Sequence, residues 1–323
     1  ARGVINIPST FNGLPVKVIG NSAFTDCSLI TEVTIPSSVT TIEQNAFSGC
    51  TALTDITMGS GVQTINSYAF SNCDSLVSII FGGAVQTIGT HAFYDCDALK
   101  NVIISSSVQT INSYAFYNCD GLQSIEIPGN VQHIGEGAFE GCISLTTVTF
   151  NEGLKTIAGR AFYGCPITSL VIPDSVTTIN SYRYSSDNYY GAFENCSSLT
   201  SITIPESVTS IGDYAFAGSS LTSVTIGKNV SNIGCGIFLY CSGLTSPIYN
   251  ANYFVYMPTS FKGAYVIPDS IKKIAGEAFY DCSLITSITI PKSVTSIGDR
   301  AFDGCTSLTE TNYMGDIASW CKI

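Results

Sequence analysis

Charge is the scarcest property of this sequence. Only 11% of its 323 residues are Asp, Glu, Lys or Arg, and the 24 acids outnumber the 13 bases to leave a net charge of −11. No basic cluster gathers anywhere along the chain. Nucleic acid and anionic membrane both require a cationic surface, so neither is expected as a partner. Low charge does not mean disorder here, because 45% of the residues are hydrophobic, too many for a chain that stays unfolded. The uncharged polar remainder is Ser, Thr, Gly and Asn, which makes the expected surface one of hydroxyls and amides. No apolar run of about 18 residues exists, so no membrane insertion is expected. The opening Ala1-Arg2-Gly3, without an initiator Met or a signal-type apolar segment, reads as a mature or trimmed product.

The groups that carry chemistry are equally sparse. There are two histidines, His91 and His133, and neither stands near a candidate nucleophile in sequence. The metalloprotease H-E-x-x-H, the phosphate-binding P-loop, the G-x-S-x-G elbow and paired catalytic carboxylates are all missing. Ser and Thr abound, but no base recurs beside them to activate a hydroxyl. The expectation is a protein that is not an enzyme and uses no cofactor and no metal.

What the sequence has in abundance is itself. Ala-Phe recurs at Phe24, Phe47, Phe70, Phe93, Phe116, Phe139 and Phe162 with a step of 23, and continues at Phe193, Phe216, Phe238 (as Ile-Phe), Phe279 and Phe302. An Ile precedes each Phe by five residues once a nine-residue insertion is allowed for. A Cys follows by three residues in eleven of the twelve, at Cys27, Cys50, Cys73, Cys96, Cys119, Cys142, Cys165, Cys196, Cys241, Cys282 and Cys305, with Ser219 the exception. One unit reads A-F-x-x-C-x-x-L-T-x-I-x-I-P-x-S-V-x-x-I-G-x-x. Its L-x-x-I-x-I part, as in Leu199–Ile204, alternates apolar and hydroxyl residues and predicts a short strand with one buried face. Pro or Gly then ends it, V-x-x-I predicts a second short extended piece, and A-F-x-x-C has room for a single 3₁₀ or α turn. A unit this small cannot cover its own Ile, Leu, Phe and Cys, so successive units must stack, with parallel strands about 4.8 Å apart.

The string F-x-x-C-x-x-L-x-x-I-x-I resembles a leucine-rich repeat with Cys in one Leu position, and the I-P-x-S-V-x-x-I-G-x-x-A-F-x-x-C form resembles the BspA-type bacterial leucine-rich repeat. The resemblance covers Ile5 to about Leu308. It implies a repeat solenoid of the β-rich α/β class: a curved right-handed coil with a parallel sheet on its concave face, a second short-strand ladder and short 3₁₀ or α turns. One departure stands out. Where the wider repeat pattern has Asn, this chain has Ser38, Ser107, Ser175, Ser207, Ser270 and Ser293, and keeps only Asn130 and Asn229, so the corner should not be an asparagine ladder.

The organisation expected is one solenoid domain over 1–323 of about twelve units. It is interrupted by an insertion at 183–191 and by an irregular coil or hairpin at 245–264, and it finishes in a cap or truncated unit at 309–323. Two coils run one residue short, after Cys165 and around Ser219-Ser220, and read as local adjustments.

Three sets of residues invite attention. The cysteine column reads as buried thiols in a stacked ladder rather than as disulfides or a metal cluster, because parallel stacked side chains lack the disulfide dihedral and no Cys-x-x-Cys pairing occurs. Cys235 and Cys321 stand off the column as the candidates for reactive or paired thiols. The outward strand positions, among them Thr57, Ile80, Ile103, Glu126 and Thr149, form the expected concave surface. Tyrosine is the third signal, because it brings contact area and a polar tip at low entropic cost. Tyr182, Arg183, Tyr184, Asp187, Tyr189 and Tyr190 crowd the insertion, where stacking requires nothing of them, and further tyrosines (Tyr68, Tyr114, Tyr214; Tyr94, Tyr117, Tyr163, Tyr280) flank the Ala-Phe turns.

The resemblance implies a secreted or bacterial cell-surface protein engaged in adhesion. The expected function is a non-enzymatic binding module for a protein or glycan ligand of the host or its extracellular matrix, acting as a monomer. The other reading is a passive stalk or spacer that displays another domain.

Overall fold

The computed structural model describes residues 2–185 and 188–321. About 13 turns of chain stack into a solenoid of parallel strands. Each full coil contributes a longer strand from its L-x-x-I-x-I part, such as Ser124–Ile127 or Ser201–Ile204, and a two-residue strand ending in the Ile that precedes Ala-Phe. The two rows behave differently. The short strands form one unbroken ten-stranded parallel sheet from Val18–Ile19 to Asn232–Ile233, whereas the longer strands pair only in twos and threes. The coil after Cys165 shows why shortening matters: its longer strand shrinks to the single bridge Thr147↔Ser169.

Alternation sets what is buried. Ile125 and Ile127 point inward and are covered, while Ser124 and Glu126 between them are exposed. Every coil of the middle of the chain completely covers its Val, Ile, Ala, Phe, Cys and Leu, as at Val108, Ile111, Ala115, Phe116, Cys119 and Leu122. The phenyl rings stack face to face from Phe24 to Phe238 at 5.0 to 5.9 Å between centroids. Burial of each such ring is worth about 1.5–3 kcal/mol, and no coil obtains it without its neighbours.

The Ala-Phe segment keeps the i→i−3 bonds of a 3₁₀ turn but does not run on as helix. Its N–H groups divide between two destinations. Ala69 and Ser71 donate back to Asn66 and Tyr68 of their own coil at 3.3 and 3.2 Å. Tyr68, Phe70 and Asn72 donate instead to Thr90, Ala92 and Tyr94 of the next coil at 3.0, 2.8 and 2.8 Å. The division is possible because the residues two before and two after the Phe are left-handed, as at Tyr68 (φ 58°) and Asn72 (φ 55°). Left-handed residues break a helix and turn alternate amides outward, so the turns form a third hydrogen-bonded ladder between coils.

The irregular parts obey the same stacking. At residues 245–264, Ile248–Tyr249 runs antiparallel to Tyr253–Tyr256, which in turn lies parallel to Lys273–Ile274. The segment is thus a hairpin whose second arm serves as the short strand of a coil. Met257 takes over the turn, donating its N–H to Ala278 at 2.7 Å, and the Phe254 ring stacks on Phe279 at 4.6 Å. Near the N-terminus, Thr10–Phe11 and Leu14–Pro15 form a hairpin through Asn12-Gly13, both at positive φ as such two-residue turns require. Beyond the last strand, Glu310–Tyr313, a four-residue helix Ile317–Trp320 is capped by Asp316, and Trp320 packs on Tyr313. The serine corner is not a ladder: Ser107 and Ser293 donate to backbone carbonyls at 2.7 Å, Ser175 accepts from Gly153, and the Ser38 and Ser207 hydroxyls have no partner.

Candidate functional site

The insertion is a β-hairpin. Ser181–Arg183 pairs antiparallel with Tyr189–Gly191, placing Tyr182 opposite Tyr190 and Arg183 opposite Tyr189. Tyr182 therefore leaves the repeat and joins the hairpin, which the sequence phrase Ile179-Asn180-Ser181-Tyr182 concealed. The repeat resumes at Ala192, whose carbonyl accepts from Phe162 at 2.8 Å, as in every regular coil. Tyr184 at the tip is 69% exposed. Asp187 lies outside the described residues.

The hairpin folds back on the ridge of left-handed residues two before each Phe. That column runs Tyr68, His91, Tyr114, Gly137, Arg160, then Tyr214, Gly236, Glu277 and Arg300. Tyr68, His91 and Tyr114 stack at 4.6 and 4.9 Å. Where the column holds glycine, the row of rings stops and the preceding tyrosine leans over the gap, Tyr114 at Gly137 and Tyr214 at Gly236. At Gly137 the gap is filled from within. Arg160 donates through Nε to Glu140 at 2.8 Å and through Nη2 to its other carboxylate oxygen, while its guanidinium lies 4.5 Å from the Tyr190 ring centre and 5.4 Å from that of Tyr163.

At Gly236 the same parts recur with a different outcome. Glu277 reaches across the glycine so that Tyr214 Oη donates to its Oε1 at 3.1 Å. Arg300 lies one coil further on, as Arg160 does for Glu140, but its guanidinium is held by Asp303 at 3.0 and 3.1 Å and stays 3.7 Å from Glu277. The Glu277 side chain is 4% exposed, and its Oε2 has no hydrogen-bond partner. Burial pushes its carboxyl above the ordinary range, partly offset by the Tyr214 hydroxyl and Arg300. Glu194, which accepts from the Gly191 N–H at 2.9 Å, is raised for the same first reason. Around Glu277 lie two adjoining cavities of about 230 and 200 Å³. Tyr189, Tyr190 and Tyr214 wall the first, Tyr256 walls the second, and Tyr240 and Tyr280 border both.

The remaining candidates lie elsewhere. Thr57, Ile80, Ile103, Glu126 and Thr149 are exposed on the longer-strand face, with Ile80 paired to Ile103 and Glu126 accepting from Asn151 at 2.9 Å. They are remote in sequence from the hairpin cleft and line none of it. On the turn side Asp74, Asp95, Asp97 and Asp120 border a groove of about 570 Å³, where burial and mutual repulsion raise Asp74 and Asp120. Among the described residues no group of three or more His, Cys, Asp or Glu could hold a metal ion.

The cysteines line the inner edge of the turn. Cys73, Cys96, Cys119, Cys142 and Cys165 donate their thiol hydrogens to the Phe carbonyl of the preceding coil at 3.0 to 3.4 Å, and Cys50, Cys196, Cys241 and Cys305 do the same at their own positions. Cys282 reaches the Met257 carbonyl at 3.5 Å, and Cys27 is the least covered at the N-terminal end. Ser219, the exception in the column, donates from Oγ to Phe193 at 3.4 Å. Burial raises Cys96 to about 12 and Cys50 and Cys235 to about 11, and Cys321 is exposed. No disulfide joins described residues.

The signal for Glu277 and Arg300 was present in sequence, since a column mostly of Tyr, His, Asn and Gly turns charged there, as it does at Arg160. It was hidden because the interruption after Phe238 separates them from Tyr214 by 63 residues and more.

Compared with known proteins, the chain matches the profile of the BspA type leucine-rich repeat region in overlapping stretches from 17–134 to 252–321. No curated protein matches. Among solved structures, it is similar to a leucine-rich repeat protein of T. pallidum, with 38% identity over 45% of this chain and 68% of that one, at a TM-score of 0.45. A leucine-rich repeat protein of Bacteroides ovatus aligns at 27% identity over 95% of this chain and 86% of that one, with a TM-score of 0.62. A leucine-rich cell surface protein of Faecalibacterium prausnitzii is 26% identical over 100% of this chain and 90% of that one, with a TM-score of 0.49.

Proposed function

Because this chain belongs to the BspA-type leucine-rich repeat family, we propose that it is a non-enzymatic binding module, secreted or held at a bacterial cell surface, that recognises a host or matrix protein or glycan. The observation that carries the reading is the tyrosine hairpin: it interrupts an otherwise regular coil, fills none of the repeat's core columns, and walls a cleft with the turn ridge. Tyr182, Arg183, Tyr184, Tyr189 and Tyr190, with Asp187 by sequence, are the proposed contacts. The exposed strand-face residues Thr57, Ile80, Ile103, Glu126 and Thr149 form a second, broader surface of mostly uncharged character. Burial holds the thiols of the column protonated, and it is the thiolate that reacts, so the column is compatible with an oxidising exterior.

The test compares the intact chain with one lacking Tyr182–Tyr190, which leaves Ser181-Gly191-Ala192-Phe193. The shortened chain is expected to fold with an unchanged circular dichroism spectrum, because Gly137 and Gly236 already occupy the corresponding position in other coils. It is expected to lose binding in a screen of immobilised matrix proteins and glycans by about tenfold or more, the scale of losing one or two buried tyrosine contacts. Equal binding by both forms removes the hairpin from the reading. Binding by neither form points to the passive spacer.

A further inference from the structure

We propose that the cavity lined by Glu277, next to Gly236, receives an arginine side chain from a protein partner, with Glu277 as its carboxylate and tyrosines as its walls. The inference rests on the hairpin-bearing ridge being a contact surface, and it narrows the ligand from protein or glycan to a basic protein segment.

The chain supplies its own template. The gap at Gly137 holds the guanidinium of Arg160, bound to the Glu140 carboxylate and flanked by Tyr163 and Tyr190. Flat guanidinium against carboxylate, with aromatic faces beside it, is a combination that a neutral sugar or a point-like ammonium cannot reproduce. The cavity beside Gly236 has the matching carboxylate, Glu277, and the rings Tyr189, Tyr190 and Tyr280. Its own guanidinium, Arg300, lies 5.5 Å from the Tyr280 ring centre and stays 3.7 Å from Glu277 instead of closing on the carboxylate. The residue three after Arg160 is Tyr163, which stacks; the residue three after Arg300 is Asp303, which binds that guanidinium through Nε and Nη2. Arg300 is thereby held off, and Glu277 Oε2 is buried without a donor. A buried unpaired carboxylate oxygen is costly, and a ligand guanidinium removes that cost. The field agrees, because Glu194, Glu277 and Asp281 line the two cavities against the single Arg300.

The test uses the full chain, isotope-labelled for amide NMR, titrated with acetyl-Gly-Arg-Gly-amide and with the same peptide carrying citrulline, the neutral counterpart of arginine. The arginine peptide is expected to shift the Gly236 and Tyr214 amides in a saturable way, and the citrulline peptide to bind about tenfold more weakly or not at all, as for one charge-assisted pair lost. Glu277→Gln should lose the arginine preference. Asp303→Asn, which frees Arg300 to pair with Glu277 as Arg160 pairs with Glu140, should weaken the peptide similarly and reads the same contact should E277Q fail to fold. Equal affinity for the two peptides, an unchanged arginine preference in the folded variants, or displacement of the peptide by the neutral sugar N-acetyllactosamine would overturn the inference. In those cases, loss of matrix binding on hairpin deletion would still uphold the broader reading, so the two can fail separately.

Discussion

Cys119 donates its thiol hydrogen to the Phe93 carbonyl at 3.2 Å, and the same donation recurs coil after coil. At the scale of the residue, then, the column selects a small side chain that both fills apolar space and caps a buried carbonyl. Packing alone would explain Cys but not Ser219, which is a poor apolar filler yet keeps the donation to Phe193. The two roles can be separated by substitution. Cys119→Ala removes the sulfur and leaves the Phe93 carbonyl without its donor, which should cost about 2–3 kcal/mol. Cys119→Ser keeps the donor and should cost about 1 kcal/mol less than Ala, despite being more polar. Urea denaturation monitored by circular dichroism gives the order, and a serine variant less stable than the alanine variant would leave only the packing role.

The element that repeats is the turn, and its shape follows from residues chosen for backbone rather than packing. Two after each Phe the chain has Asp26, Gly49, Asn72, Asp95, Asn118, Gly141, Gly164, Asn195, Gly218, Asp281 and Gly304, with Tyr240 as the departure, and all are left-handed. Asn, Asp and Gly are the residues that enter that region at least cost. The left-handed residue directs its N–H to the next coil, as from Asn118 to the Glu140 carbonyl at 2.9 Å. Asn118→Gly should therefore be nearly neutral, whereas Asn118→Ala should cost about 1 kcal/mol from the left-handed penalty alone. Thermal unfolding of the two variants measures the difference, and equal melting temperatures would mean that this conformation carries no penalty here. The hairpin is the opposite kind of element: its strands pair with each other, and it enters and leaves the coil next to positions that keep their ladder bonds.

Across the whole molecule, the thiol ladder makes stability depend on alkali. Burial raises Cys96 from 9.0 to about 12, and Cys73, Cys119 and Cys165 well above 9.0, with repulsion between neighbouring thiolates adding to the rise in those three. The sign follows from proton binding. Below pH 9 both folded and unfolded thiols are protonated and the stabilisation is whole. Between 9 and about 12 the unfolded chain releases protons that the folded chain must keep, so stability falls as pH rises. Each such thiol forfeits about 1.4 kcal/mol per pH unit. Several acting together in one cooperative stack can exhaust the roughly 5–15 kcal/mol of an ordinary domain within about two units. Circular dichroism between pH 8 and 12 should show a cooperative loss of structure near pH 10–11, reversible on return in the presence of reductant. A chain still folded at pH 12 would show that the thiols are not held protonated in the core.

The period of 23, the apolar Ile, Phe, Leu and Cys columns and the alternation of Leu199–Ile204 were enough to determine a stacked coil, because no unit can cover its own core. The insertion was visible as a break in that period. Its form was not, since Tyr182 fits the repeat phrase by spelling and leaves it only because pairing with Tyr190 is available. The left-handed turn was legible in the Asn, Asp and Gly two after each Phe, but the helical spacing of A-F-x-x-C pointed elsewhere. The tertiary structure alone decided the site at Gly236. Stacking turns a column in sequence into a line of neighbours in space, and it brings Tyr214 against Glu277 across 63 residues. Whether the neighbouring arginine satisfies the carboxylate, as at Gly137, or is drawn away by Asp303 is a matter of ångströms between side chains, which no repeat spacing records.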